Sequence, residues 1–130
     1  MKKFLLYLWQ LPQNVLGVLV IIFTGAQKVI GEDGCWLTNV CPFGVSLGKY
    51  VIFGQRFSDT DLKHERGHQK QSLYLGWLYL LLIGLPSALG NIYDQLAHQN
   101  WLVIDRIVWY YSQPWEKWAD RLGGVDRGIE

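Results

Sequence analysis

Apolar residues fill positions 4 to 23, interrupted by Gln10, Pro12, Gln13 and Asn14. This run is about as long as the ~20 residues a membrane-crossing helix needs. It predicts a retained membrane helix, or a lipid-facing hairpin broken at Pro12. A cleaved secretory signal behind Met1, Lys2 and Lys3 is the weaker reading, because no small-x-small cleavage site with a mature domain behind it follows Phe23. Positions 31–44, punctuated by Gly31, Gly34, Pro42 and Gly44, predict a loop or tight hairpin. Over residues 45–57, Val45, Leu47, Val51 and Phe53 recur with an imperfect period of two, which predicts one strand or a short hairpin.

The pattern then changes to a helical one. Ser58 or Asp59 can accept from the orphan N–H groups of a helix start, and Asp59 and Asp61 place negative charge where the dipole favours it. No proline follows until Pro86. A single helix is therefore expected over 59–85, running from a charged beginning into an uncharged, Leu-rich transmembrane stretch. At 1.5 Å per residue it would be about 40 Å long. Residues 91–100 are polar and predict a turn or a short segment outside the membrane, and 101–111 form an amphipathic apolar stretch. Pro114 as a first helical residue and Gly123-Gly124 as a stop predict a short helix over 114–122. The expected fold is α+β and mainly helical, a membrane protein with one domain over 1–130.

Composition strengthens the membrane reading. The 130 residues include 7 Trp and 7 Tyr while only 18% are charged, and these two aromatics concentrate where an apolar ring can sit in lipid with its polar atom in water. The net charge is +1, with no basic stripe, so nucleic acid is excluded as a partner. Cys35 and Cys41 could close a small disulfide loop outside the cytosol or stay as two thiols inside it.

His64-Glu65-Arg66-Gly67-His68 matches the pattern HExxH. On a helix the two histidines fall at i and i+4, one face presents both imidazoles to a single ion, and Glu65 reaches a metal-activated water without becoming a ligand. A catalytic zinc site takes three protein ligands and leaves one position open. The expected C-terminal helix supplies Glu116 and Asp120 at i and i+4. Glu116 is the candidate third ligand, and Asp120 is the candidate acceptor for the free ring N–H of a ligating histidine. His98 is the rival third ligand, and a structural site of Cys35, Cys41, His64 and His68 is a further alternative.

These residues resemble the gluzincin metallopeptidases, in which HExxH lies on one helix and ExxxD on a later one. The resemblance covers His64 to His68 and Glu116 to Asp120. The stretch from Phe57 to Ser87 also looks like a family of small uncharacterised bacterial membrane proteins. The gluzincin resemblance implies Zn²⁺ held by His64, His68 and Glu116, Glu65 as general base in peptide hydrolysis, and an oxyanion donor from Tyr110, Tyr111 or His98. Substrate backbone is expected to add to the strand around Leu47 to Phe53. The expected partners are the lipid bilayer and a peptide or membrane-tethered protein, and the expected location is a bacterial inner membrane. Lys63, Arg66 and Lys70 favour a cytoplasmic site, whereas Lys2 and Lys3 favour the opposite side; a first segment that folds back at Pro12 reconciles them. The alternatives are a non-catalytic zinc-binding membrane protein and a small membrane interaction or immunity-type protein.

Overall fold

The computed structural model describes residues 1–40, 44–54 and 57–128. It is α+β, with six α-helices and one small four-stranded sheet among those residues. Helix α1 (Lys2–Trp9) and helix α2 (Leu11–Thr24) come from the first apolar run. Pro12 lies in the first turn of α2, where its missing N–H costs nothing. The break therefore falls at Gln10, two residues before the expected one, and the helices meet at 84°.

The sheet holds β1 (Gln27–Lys28), β2 (Cys35–Leu37), β3 (Val45–Leu47) and β4 (Tyr50–Phe53) in the order β1-β2-β4-β3. β3 and β4 are the expected hairpin, turning through Gly48 and Lys49 and paired antiparallel with Ser46 opposite Val51. β2 lies inside the stretch expected to be loop and pairs in parallel with β4. β4 is thus flanked on both sides, so no substrate strand can add along it; the edge next to it is β3, whose Ser46 carbonyl accepts from the Tyr79 hydroxyl. Cys35, Val51 and Phe53 form a small buried core, with Phe57 stacked on Phe53. The expected alternatives for Cys35 with Cys41 fall outside the described residues, since Cys41 is not among them.

Helix α3 (Asp59–Leu75) starts where the sequence predicts. Ser58 Oγ accepts from the Asp61 N–H and the Asp61 carboxylate accepts from the Ser58 N–H, a closed capping box. The helix does not continue to residue 85. It ends at Gly76, which takes φ 55°, and a 3₁₀ turn (Gly76–Leu78) and a π-helical turn (Leu80–Gly84) lead into α4 (Leu85–Ala97). The two arms are bent by 119°. Most of the expected turn over 91–100 is the end of α4. α5 (Val103–Tyr111) and α6 (Pro114–Gly123) complete the chain, α6 within one residue of its expected bounds.

Among the described residues, no single helix is long and apolar enough to cross a membrane. The cause lies in the two breaks, which lock together. The Trp9 indole donates to Leu73 O and the Trp77 indole donates to Leu8 O. Gln13 Nε2 donates to Gly76 O and to Ser72 Oγ, and Ser72 Oγ donates to Gln10 Oε1. Gln10, Gln13 and Asn14, the polar interruptions of the first apolar run, are all buried.

A methyl group at Gly76 would stand 2.4 Å from the Trp9 ring and would force a side chain into a left-handed conformation. Gly76→Ala is expected to destabilise the fold by about 2–4 kcal/mol, measured as a lower denaturation midpoint in detergent; an unchanged midpoint would mean that the corner does not hold the two arms.

Candidate metal centre

The 3.6-residue helical period turns His64 and His68 of α3 to one side, and α6 crosses that side closely. Gly67 faces the Ala119 carbonyl and Gly123 faces the Lys63 carbonyl; a methyl group on either glycine would lie within 2 Å of that oxygen. Ala119 at the crossing is fully buried. Backbone contact at these points carries Glu116 and Asp120 to the histidines.

Glu116 Oε2 is 2.9 Å from His64 Nε2 and 3.0 Å from His68 Nε2. The other ring nitrogens are also held: His64 Nδ1 lies 2.6 Å from Asp120 Oδ1, and His68 Nδ1 lies 2.6 Å from Gln71 Oε1. Glu116 is fully buried, and its second oxygen accepts from Ser87 Oγ, which in turn lies 3.1 Å from the Tyr110 hydroxyl. Arg127 clamps Asp120 at 2.7 and 3.1 Å and lies over the Tyr111 ring, which meets the His64 ring edge-on.

His64, Glu65 and His68 form a buried group whose nitrogen and oxygen atoms lie within 4.8 Å of one another, a set that could hold a metal ion. Either Glu65 or Glu116 could complete it. Two ligand atoms at 2.0–2.1 Å from one tetrahedral ion stand about 3.3 Å apart. The 2.9 and 3.0 Å separations to Glu116 Oε2 come close to that value on both histidines at once, so Glu116 can also offer a donor to such a set. Two imidazoles and a carboxylate suit a first-row divalent cation.

Charge and burial perturb every member. Burial opposes protonation of His64, but the hydrogen bonds to Asp120 and Glu116 outweigh it and raise its pKa to about 9. Burial works against the Glu116 carboxylate as well, and the two histidines overcome it, holding that carboxyl far below the ordinary range. Burial pushes the Glu65 carboxyl up, against the pull of His68 and His64. Burial also lifts the two tyrosine hydroxyls, Tyr111 to about 12 and Tyr110 higher still, so both keep their protons at neutral pH.

The site opens on a cleft of about 420 Å³. His64, Glu65, Tyr110 and Tyr111 line it, together with Asn91 and Arg106. Of the predicted residues, His64, Glu65, His68, Glu116, Asp120, Tyr110 and Tyr111 therefore lie at one place. His98 does not join them: it stacks on Trp101 at 3.7 Å between ring centres and bonds through Nδ1 to Asp94, itself paired with Arg106. Cys35 lies in the core of the sheet.

Three participants were not singled out from the sequence. Gln71 sits three residues past His68 on the same helix, a spacing at which side chains meet, so it carried a readable signal. Ser87 lies in the first turn of α4 and Arg127 beyond the end of α6, and nothing local marks either.

Gly67→Ala is expected to push α6 off α3 and lower affinity for a divalent cation by at least ~10-fold while leaving helix content unchanged. Chelator competition and circular dichroism check this, and an unaltered affinity would show that the close crossing is not what delivers Glu116. No family model, curated protein or solved structure matches the chain, so the site is read from its own geometry.

Proposed function

We propose that this chain is a membrane-associated, zinc-dependent peptidase. The observation that carries the reading is the position of Glu116 Oε2 within 3.0 Å of both His64 Nε2 and His68 Nε2, with Glu65 beside them at the cleft. His64, His68 and Glu116 are the ligands. Asp120 fixes the ring orientation of His64, Gln71 fixes that of His68, and Arg127 anchors Asp120 in turn.

Bound Zn²⁺ supplies Lewis acidity and brings the pKa of a coordinated water to about 7. Glu65 takes the proton of the attacking water and passes it to the leaving amine. Tyr110 or Tyr111 donates a hydrogen bond to the oxyanion, and both retain the proton needed for it. The substrate is a peptide or a membrane-tethered protein segment that enters the cleft between α3 and α5. Strand addition is confined to the free end of the β3 edge at Gly44, which lines the cleft beside Glu65.

Elemental analysis of the detergent-purified chain tests the ligand set. The unmodified protein is expected to hold close to one zinc per chain. His68→Ala loses it, Glu116→Ala weakens it, and Asp120→Asn lowers affinity ~10–100-fold. No bound metal after zinc is supplied would sink the reading.

Glu65→Gln separates catalysis from metal binding. It is expected to keep the zinc and lose ~10²–10⁴-fold in peptide hydrolysis. Zinc retained with no hydrolysis in the unmodified chain, across a library of peptide and membrane-tethered substrates, would instead favour a non-catalytic zinc protein. Of Tyr110→Phe and Tyr111→Phe, the variant that lowers kcat while leaving KM and zinc content alone identifies the oxyanion donor.

A further inference from the structure

The surface of this protein is more apolar than its interior. Among the described residues, eight buried side chains are apolar and fourteen are polar or charged, while twenty-nine large apolar side chains are exposed. The exposed ones gather on α1, α2, the end of α3, α4 and α5; Phe23, Leu81, Leu96, Val103 and Ile104 are each more than 60% exposed. In water such a face is a liability. The breaks within it point to what covers it: the carbonyls of Leu8, Leu73 and Gly76 each receive a side-chain donor from the opposite corner, a provision that water would make unnecessary and that hydrocarbon favours.

The same contacts decide how deep this face reaches. α2 lies along the sheet, tied at one end by Asn14 Oδ1 accepting from the Lys49 N–H and at the other by Thr38 Oγ1 donating to Thr24 O. It cannot stand across a bilayer without taking the sheet with it. α4 folds back on α3, so that Asn91 and Gln95 from its second half line one cleft with Asp61 and His64 from the beginning of α3. α2 with 14 residues and α4 with 13 are about 20 Å long, against a hydrocarbon core of about 30 Å. A second cleft brings Lys3, Lys49 and Arg66 beside Leu6 and Leu73; Asp33 also lines it and Arg66 pairs with Glu32, so the cluster keeps a net positive charge where apolar surface begins. Such an arrangement complements anionic headgroups.

We infer that the chain is monotopic: both bent helix pairs seat in one leaflet of an anionic bilayer, no segment crosses it, and the metal cleft opens on the same side as both ends of the apolar arms. This deepens the membrane association proposed above and does not depend on hydrolysis. It also restricts the substrate to segments lying at that one membrane surface.

Cysteine accessibility in sealed vesicles tests the inference. In a Cys41→Ala background, with the buried Cys35 retained, single cysteines replace the exposed Lys2, Lys28, Gln99 or Asp126 in the full chain, and a membrane-impermeant maleimide is added to right-side-out and inverted vesicles. All four positions are expected to react from the same side, with the protein floating on vesicles containing phosphatidylglycerol. Lys2 and Lys28 on opposite sides, or Lys28 and Gln99 on opposite sides, would overturn the inference in favour of a crossing. Recovery of the chain in the soluble fraction as a dimer would overturn it too, since a second copy would then cover the apolar face. Trypsin protection of the unmodified chain at Lys2, Lys28 and Lys49 gives the same answer without substitutions. Zinc content is measured on the same samples: its absence would refute the metal reading and leave the topology result standing.

Discussion

Two missing methyl groups allow α3 and α6 to touch backbone to backbone. Gly67 meets Ala119 O and Gly123 meets Lys63 O, and the crossing they permit is what puts a carboxylate from residue 116 against nitrogens from residues 64 and 68. Helices separated by ordinary side chains stand about 8–10 Å apart. At that distance the Glu116 side chain would have to reach across the groove, and its oxygen could not sit on both imidazoles while Asp120 held the far nitrogen of one. The site thus depends on a residue of the HExxH segment that has no chemistry of its own. It depends equally on the small residues of α6, where Ala119 lies between Glu116 and Asp120.

The interior follows a second rule. A chain that leaves its apolar residues outside must hold its elements together by something else, and here polar side chains inside do it. Gln10, Gln13, Asn14 and Ser72 join α1, α2, the sheet and α3 through hydrogen bonds whose partners are mostly backbone groups at breaks and turns. Such bonds contribute little when water competes and more where it is excluded. The two indoles close the remaining carbonyls. Trp9 and Trp77 are half exposed as rings and engaged as donors, which suits a residue whose body faces lipid while its nitrogen is tied to the protein.

What could be read from the chain is what depends on local spacing. The i, i+4 pairs of His64 with His68 and Glu116 with Asp120, the Ser58 cap, the Pro114 start and the hairpin over β3 and β4 each follow from a few neighbouring residues, and each stands where that spacing places it. The motif helix illustrates the opposite case. Between Leu73 and Leu85 only Gly76 and Gly84 weaken a helix by composition, and an isolated glycine inside a helical pattern is tolerated. Gly76 ends α3 because Trp9, far earlier in the chain, occupies the space its side chain would need. Likewise Gln10, Gln13 and Asn14 read as blemishes in a membrane segment until their partners on α3 and the sheet are known. β2 was missed because three residues cannot establish a period. Arg127 was missed because its partner Asp120 lies across a glycine turn.

Charge balance around the metal centre ties these features together. Asp120, paired with Arg127, bonds His64 Nδ1, and the Glu65 and Glu116 carboxyls are the other acids close to the histidines. Two buried carboxylates with no countercharge would be costly. A divalent cation held by His64, His68 and Glu116 matches them in sign and magnitude. Hydrogen bonds to Asp120 and Glu116 push His64 up to about 9, and Glu116 and Glu65 raise His68 as well, despite burial that opposes protonation in both. A metal ion bound at this group would compete with protons on the two imidazoles, and its binding would release them. A pair of histidines on a merely solvated helical turn would need no such neighbours: Glu116 would gain nothing by being fully buried between them, and Arg127 would have no reason to hold Asp120 in place.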